Sequence, residues 1–136
     1  MSGYTVLQKV MFKHCDPAGI VFYPRYFEMM NDTVESFFDE VLGHPFEEMH
    51  RSGGVPTAAI ETHFAAPSRH GDRLEITLEI EAVGRTSARY RMHATCDGEL
   101  RFDTTATLVH VDATGRPDPW PEALRAGLIR FKEGTT

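Results

Sequence analysis

Cysteine is scarce in this chain of 136 residues: Cys15 and Cys96, with no CxxC spacing. Two thiols so placed cannot make a disulfide scaffold, and a reducing compartment suits them. Basic residues are also short, 14 Lys and Arg against 20 Asp and Glu, for a formal net charge of -6. That balance argues against a general nucleic-acid binder, which would present a basic face. It leaves room for a small anionic ligand, which needs only a few cations placed locally. No run approaches the roughly 18 uninterrupted apolar residues of a membrane span. The opening Met-Ser-Gly-Tyr-Thr-Val lacks the charged and apolar regions of a signal peptide, so a cytoplasmic location is expected. The seven histidines form no HExxH pair or Cys/His cluster, so no metal is expected. The GxSxG elbow of a serine hydrolase is missing too. No repeat, low-complexity run or Pro/Gly/Ser linker divides the chain, and its length suits one domain over residues 1–136.

What is present is one long helical pattern followed by alternating strands. Tyr4 to Phe12 reads as a strand with Tyr4, Val6, Val10 and Phe12 on one parity. A turn-rich stretch from Lys13 to Gly19 follows. A helix is expected from about Pro24 to Leu42, because Pro24 suits a first helical position and Phe27, Met30, Val34, Phe37, Phe38 and Val41 recur at spacings of three and four. Gly43 and Pro45 supply the stop. After a loop through Gly53–Gly54, Thr57 to Phe64 is a weaker strand candidate. Leu74, Ile76, Leu78, Ile80 and Ala82 then alternate with polar residues, and Ala88, Tyr90, Met92, Ala94 and Cys96 do the same. Gly84 and Asp97-Gly98 mark the reversals, and Phe102 to Val111 makes the next strand. A short helical turn is expected around Ala123 to Leu128. The fold class is therefore α+β, an antiparallel meander whose apolar face is covered by the long helix.

The segment His14-Cys15-Asp16-Pro17-Ala18-Gly19-Ile20-Val21-Phe22-Tyr23-Pro24 stands just ahead of that helix. It closely resembles the active-site signature of the 4-hydroxybenzoyl-CoA thioesterase family, with Cys15, Asp16, Gly19, Ile20, Val21 and Phe22 matching. His14 departs from it, where the family often has a second acidic residue. The resemblance implies the hotdog fold, a curved antiparallel sheet around a central helix, and assembly as a homo-oligomer, a dimer or a dimer-of-dimers homotetramer. It implies hydrolysis of an acyl-CoA without metal or cofactor, with an aryl or hydroxyaryl acyl group as the first expectation.

Thioester hydrolysis needs a base or nucleophile beside the carbonyl and donors for the oxygen that turns anionic. A carboxylate just before a helix meets the first need, and the unpaired N–H groups of the helix start meet the second. Asp16 is thus expected either to attack the carbonyl or to activate water. The alternative is that Asp16 merely caps a turn. Pro24 has no N–H, so the resemblance favours the Tyr23 amide as oxyanion donor. Gly19 would let the loop approach the acyl group without a Cβ in the way. Phe22 and Tyr26 are candidates for an aromatic acyl pocket. Arg85 and Thr86 sit where the resembling aryl-CoA thioesterases contact the nucleotide. Two other functions stay open at this point. One is a hydroxyacyl thioester dehydratase, which would need a His paired with an acid elsewhere. The other is a non-catalytic acyl-CoA-binding domain, which would gain little from Asp16.

Overall fold

The computed structural model of the chain describes residues 3–134. Five strands form one antiparallel sheet: β1 (Tyr4–Lys9), β3 (Thr57–Phe64), β4 (Arg73–Val83), β5 (Ser87–Cys96) and β6 (Glu99–Val109), in the order β1-β4-β5-β6-β3. The meander β4-β5-β6 follows the alternation in the sequence. Leu74, Ile76, Leu78 and Ile80 of β4 and Ala88, Tyr90, Met92, Ala94 and Cys96 of β5 are all buried. Asp97 (φ 51°) and Gly98 (φ 81°) close the β5–β6 hairpin with two positive φ angles, the type I′ turn that matches strand twist.

α1 (Tyr23–Glu40) lies against the apolar face of this sheet and buries Tyr26, Met29, Met30, Val34, Phe37 and Phe38. Each such side chain contributes about 1.5–3 kcal/mol by leaving water, which is why an acidic outer face is tolerated. The hydroxyl of Tyr4, hydrogen-bonded to Ser36 and Glu40, ties β1 to α1. The ends of the chain add α3 (Glu122–Glu133), which buries Leu124, Leu128 and Phe131 in the same core. Phe131 packs edge-on to Phe37 with ring centroids 4.8 Å apart.

Several expectations need correction. Phe12 is 81% exposed, because β1 ends at Lys9 and a 3-10 turn, Phe12–His14, breaks the parity. Ala82 is exposed because the β4–β5 register shifts between Ile80 and Ala82. The stretch read as loop contains a one-turn helix α2 (Phe46–Met49) and a two-residue strand β2 (Gly53–Gly54) paired with β7 (Val111–Asp112). The short turn expected at Ala123–Leu128 is a helix of 12 residues. A second register shift falls between Ala94 and Thr95 against β6, leaving Arg101 without an opposite residue. No helix of the described residues is long and apolar enough to cross a membrane.

Candidate active site

Between the 3-10 turn and α1 the chain makes a small hairpin. Cys15 bridges Val21, the Asp16 amide donates to the Ile20 carbonyl at 2.9 Å, and the Gly19 amide donates to the Asp16 carbonyl at 2.9 Å. At its tip the Ala18 amide donates to Asp16 Oδ1 at 2.9 Å. The turn role open in the sequence is therefore real for one carboxylate oxygen. The carboxylate remains partly exposed. Gly19 has φ +84°, and a Cβ built there would meet nothing within 4 Å. Glycine adopts that left-handed backbone at the tip of the hairpin without cost.

Two hydrogen bonds set the hairpin against the helix. The Phe22 amide donates to the His14 carbonyl at 2.9 Å, and the Arg25 amide donates to the Phe22 carbonyl at 2.8 Å. Pro24 has no N–H, so among the first residues of α1 the Tyr23 amide is the donor left for a ligand oxygen. His14 itself is buried, and its Nδ1 accepts the Met11 amide at 2.8 Å. That bond places the ring proton on Nε2. Burial, assisted by Lys13, pushes the imidazole below its ordinary value, so the buried ring is neutral at pH 7.

A cleft of about 530 Å³ opens beside the hairpin, lined by Ile20, Val21, Tyr23, Tyr26, Phe64 and the segment Ala65–Pro67. Its wall is aromatic: Tyr26 stacks on Phe64 with centroids 5.6 Å apart, and Tyr23 meets Phe64 edge-on at 6.1 Å. Tyr26 is 4% exposed, and its hydroxyl has no hydrogen-bond partner among the described residues. Phe22 is half-exposed at the helix cap, edge-on to Tyr23, and lies outside the cleft lining. Asp16 is also outside that lining and adjoins the cleft through Ile20 and Val21 of its own hairpin.

Arg85 and Thr86 occupy the β4–β5 turn at the far end of the sheet. Phe102 pairs with Phe64 at the cleft, and Leu108 pairs with Ala88 beside that turn. Six residues of strand separate the two levels, roughly 20 Å. Arg85 is exposed, and its carbonyl accepts the Trp120 amide at 3.1 Å. One chain therefore brings together Asp16, Gly19, Tyr23 and Tyr26 but leaves Arg85 and Thr86 apart. Sequence reading missed Phe64 and Ala65–Pro67, which follow a weak strand and carry no motif. Among the described residues no group of three or more His, Cys, Asp or Glu side chains is placed to hold a metal ion.

The profile of the thioesterase-like superfamily matches residues 10–128. The chain is 26% identical over 134 residues to 1,4-dihydroxy-2-naphthoyl-CoA hydrolase of Synechococcus elongatus, covering 94% of this chain and 96% of that one. It superposes on a gentisyl-coenzyme A thioesterase with a TM-score of 0.84 at 26% identity, over 92% of this chain and 99% of that one. A variant of 4-hydroxybenzoyl CoA thioesterase, crystallised with 4-hydroxybenzoyl CoA, shares the fold with a TM-score of 0.86 at 22% identity, over 94% and 99%. With the Asp16 hairpin set before a long helix on an antiparallel sheet, these matches show that the chain belongs to the thioesterase-like superfamily, acyl-CoA thioesterases built on the hotdog fold.

Proposed function

We propose that the chain hydrolyses the thioester of an aromatic acyl-CoA, with Asp16 as nucleophile or general base and the Tyr23 amide as oxyanion donor. The observation that carries this reading is the pairing of the Asp16 hairpin with the Tyr23 amide at the start of α1, which has no backbone partner among the described residues, beside an aromatic cleft. The carbonyl oxygen of the substrate would lie on the Tyr23 amide, where the helix dipole favours the negative charge that develops. Attack by Asp16, or by water that passes its proton to Asp16, forms a tetrahedral intermediate that collapses by breaking the C–S bond and expelling the CoA thiolate. On the first route water then hydrolyses the acyl-Asp16 anhydride to release the acid and restore the carboxylate. Tyr23, Tyr26 and Phe64 give the cleft flat apolar walls that suit a ring. The acyl-CoA names of the relatives point the same way: a dihydroxynaphthoyl and a gentisyl thioester are both hydroxyaryl compounds.

The CoA phosphates need cations, and Arg85 with Thr86 is our candidate for that contact. Since these residues sit at the far end of the sheet from Asp16, the reading requires a second copy of the chain to bring its Arg85 turn to the cleft. A homodimer, alone or paired into a tetramer, is thus part of the proposal. It would also cover the exposed edge strand β3, where Ile60 is 44% and Phe64 42% exposed.

The test is free-thiol release from a panel of 4-hydroxybenzoyl-, benzoyl-, phenylacetyl- and aliphatic acyl-CoA, wild type beside Asp16→Asn. We expect one aromatic thioester to be cleaved fastest and the variant to lose at least ~100-fold in kcat. Thioesters that bind but are cleaved by neither protein would make this a binding domain and Asp16 a turn residue.

A further inference from the structure

The cleft wall is held from below by one buried charge. The segment 65–72 leaves β3, lines the cleft with Ala65, Ala66 and Pro67, and passes under the Asp16 hairpin before β4. Its start is fixed to the irregular turn of β6, where the Ala65 and Ala66 amides donate to the Arg101 carbonyl at 2.8 and 3.3 Å. Its middle and end converge on the same residue's guanidinium. Arg101 Nη1 lies 3.2 Å from the Pro67 carbonyl, 3.1 Å from Ser68 Oγ and 2.7 Å from Asp72 Oδ2. Glu99 Oε1 approaches Nε to 2.8 Å without hydrogen-bond geometry, so its contribution is Coulombic. The Asp72 carboxyl is held below its ordinary value, chiefly by the Arg101 hydrogen bond.

From there the path to the reacting carboxylate is short. Ser68 is wholly buried, and its carbonyl accepts the Val21 amide at 2.9 Å. Arg69 bridges Ile20, whose carbonyl accepts the Asp16 amide at 2.9 Å. A guanidinium whose side chain is 11% exposed is costly to bury, and apolar residues of similar volume often serve stability as well or better. What an apolar residue cannot do is draw several acceptors of one loop onto a single charged nitrogen, here the two N–H groups of Nη1 shared among three oxygens. The irregularity in β6 is what frees Arg101 from pairing, so that it and Phe102 are both buried.

We propose that Arg101 is a positioning residue for hydrolysis: through Ser68 and residues 65–67 it fixes both the cleft wall and the Ile20–Val21 return of the Asp16 hairpin. The proposal rests on Asp16 as the reacting carboxylate and names what holds it in register. Displacement of a reacting group by about 1 Å is enough to cost ~100-fold in rate.

The test compares Arg101→Met, Arg101→Lys and Ser68→Ala with wild type, well below each variant's melting temperature. Two readouts are taken: kcat and KM on the best thioester, and amide hydrogen exchange. For Arg101→Met we expect kcat to fall ~10–100-fold with KM changed less. Faster exchange should be confined to Asp16, Val21, Ala65 and Ala66 and leave the Ala88–Leu108 end unchanged. Arg101→Lys should fall between Met and wild type. Activity within twofold of wild type, or exchange raised evenly along the sheet, would overturn the proposal. Should Arg101→Met fail to fold, Ser68→Ala decides: a severalfold loss in kcat with faster Val21 exchange is expected, and wild-type kcat with unchanged Val21 exchange would overturn the proposal. The exchange readout stands even if wild type cleaves no thioester, in which case the functional reading fails by itself.

Discussion

In the proposed reaction Asp16 has a second task beside its turn bond, and the difference between its oxygens decides which substitution is informative. Oδ1 accepts the Ala18 amide, a bond whose loss is worth about 1 kcal/mol. Asparagine keeps an acceptor at that place, so Asp16→Asn preserves the turn while removing the charge. Loss of activity in that variant reports chemistry rather than a collapsed loop. His14, two residues earlier, makes a pH-dependent contribution of its own. Its folded value lies below its ordinary 6.5, for reasons of burial first and Lys13 second, with Glu28 and Asp32 opposing. A group depressed on folding stabilises fully above its unfolded value and loses that contribution as pH falls through the folded one. Protonation of Nδ1 would also cancel its acceptance of the Met11 amide. Urea unfolding from about pH 7.5 down to about pH 5 should show stability declining below 6.5, with a shallower decline in His14→Gln. Equal slopes in the two proteins would remove His14 from the account. None of this was legible in the sequence, where Lys13 to Gly19 reads only as a turn-rich stretch; the 3-10 turn that buries His14 has no motif of its own.

Among the elements, the hairpin 15–21 shows how a glycine can be required without crowding. The space around the Gly19 Cβ position is open, so Gly19→Ala meets no clash and suffers only the left-handed backbone. We expect a loss of about 1–2 kcal/mol by urea titration with the fold retained. A loss below 0.3 kcal/mol or so would mean that the hairpin relaxes to a negative φ. The elements most visible in the sequence were those whose burial is one-sided and regular. β4 and β5 alternate because one face meets α1, and α1 has a stripe because one side meets the sheet. Ala82 and Arg101 escaped because a register shift is a property of two strands together, and neither strand announces it alone. α3 was undersized in the reading because its apolar residues, Leu124, Leu128 and Phe131, are sparse and gain their meaning only against β4 and Phe37. The Asp16–Tyr23 part of the site was readable because its residues are contiguous. The cleft wall was not, because Phe64 to Ser68 come to it only through the β3–β6 pairing and Arg101.

At the scale of the whole molecule, the sheet sets a distance that one chain does not close. Its edge strands, β1 and β3, leave unpaired backbone on both sides, and β3 carries Ile60 and Phe64 on open surface. The outer face is solvated instead, with Arg89–Glu81 and Arg91–Asp103 pairs that are too exposed to contribute much. We expect static light scattering at micromolar concentration to give at least twice the monomer mass of 15.3 kDa, and a monomer there would contradict the two-copy site. The roughly 20 Å of strand between the cleft level and the level of the Arg85 turn then has a kinetic consequence. If each working site borrows its phosphate grip from a neighbour, turnover per chain is not a constant of the protein but a saturating function of its own concentration. Serial dilution would lower specific activity in step with dissociation, and an assay run too dilute would report a sound enzyme as a poor one.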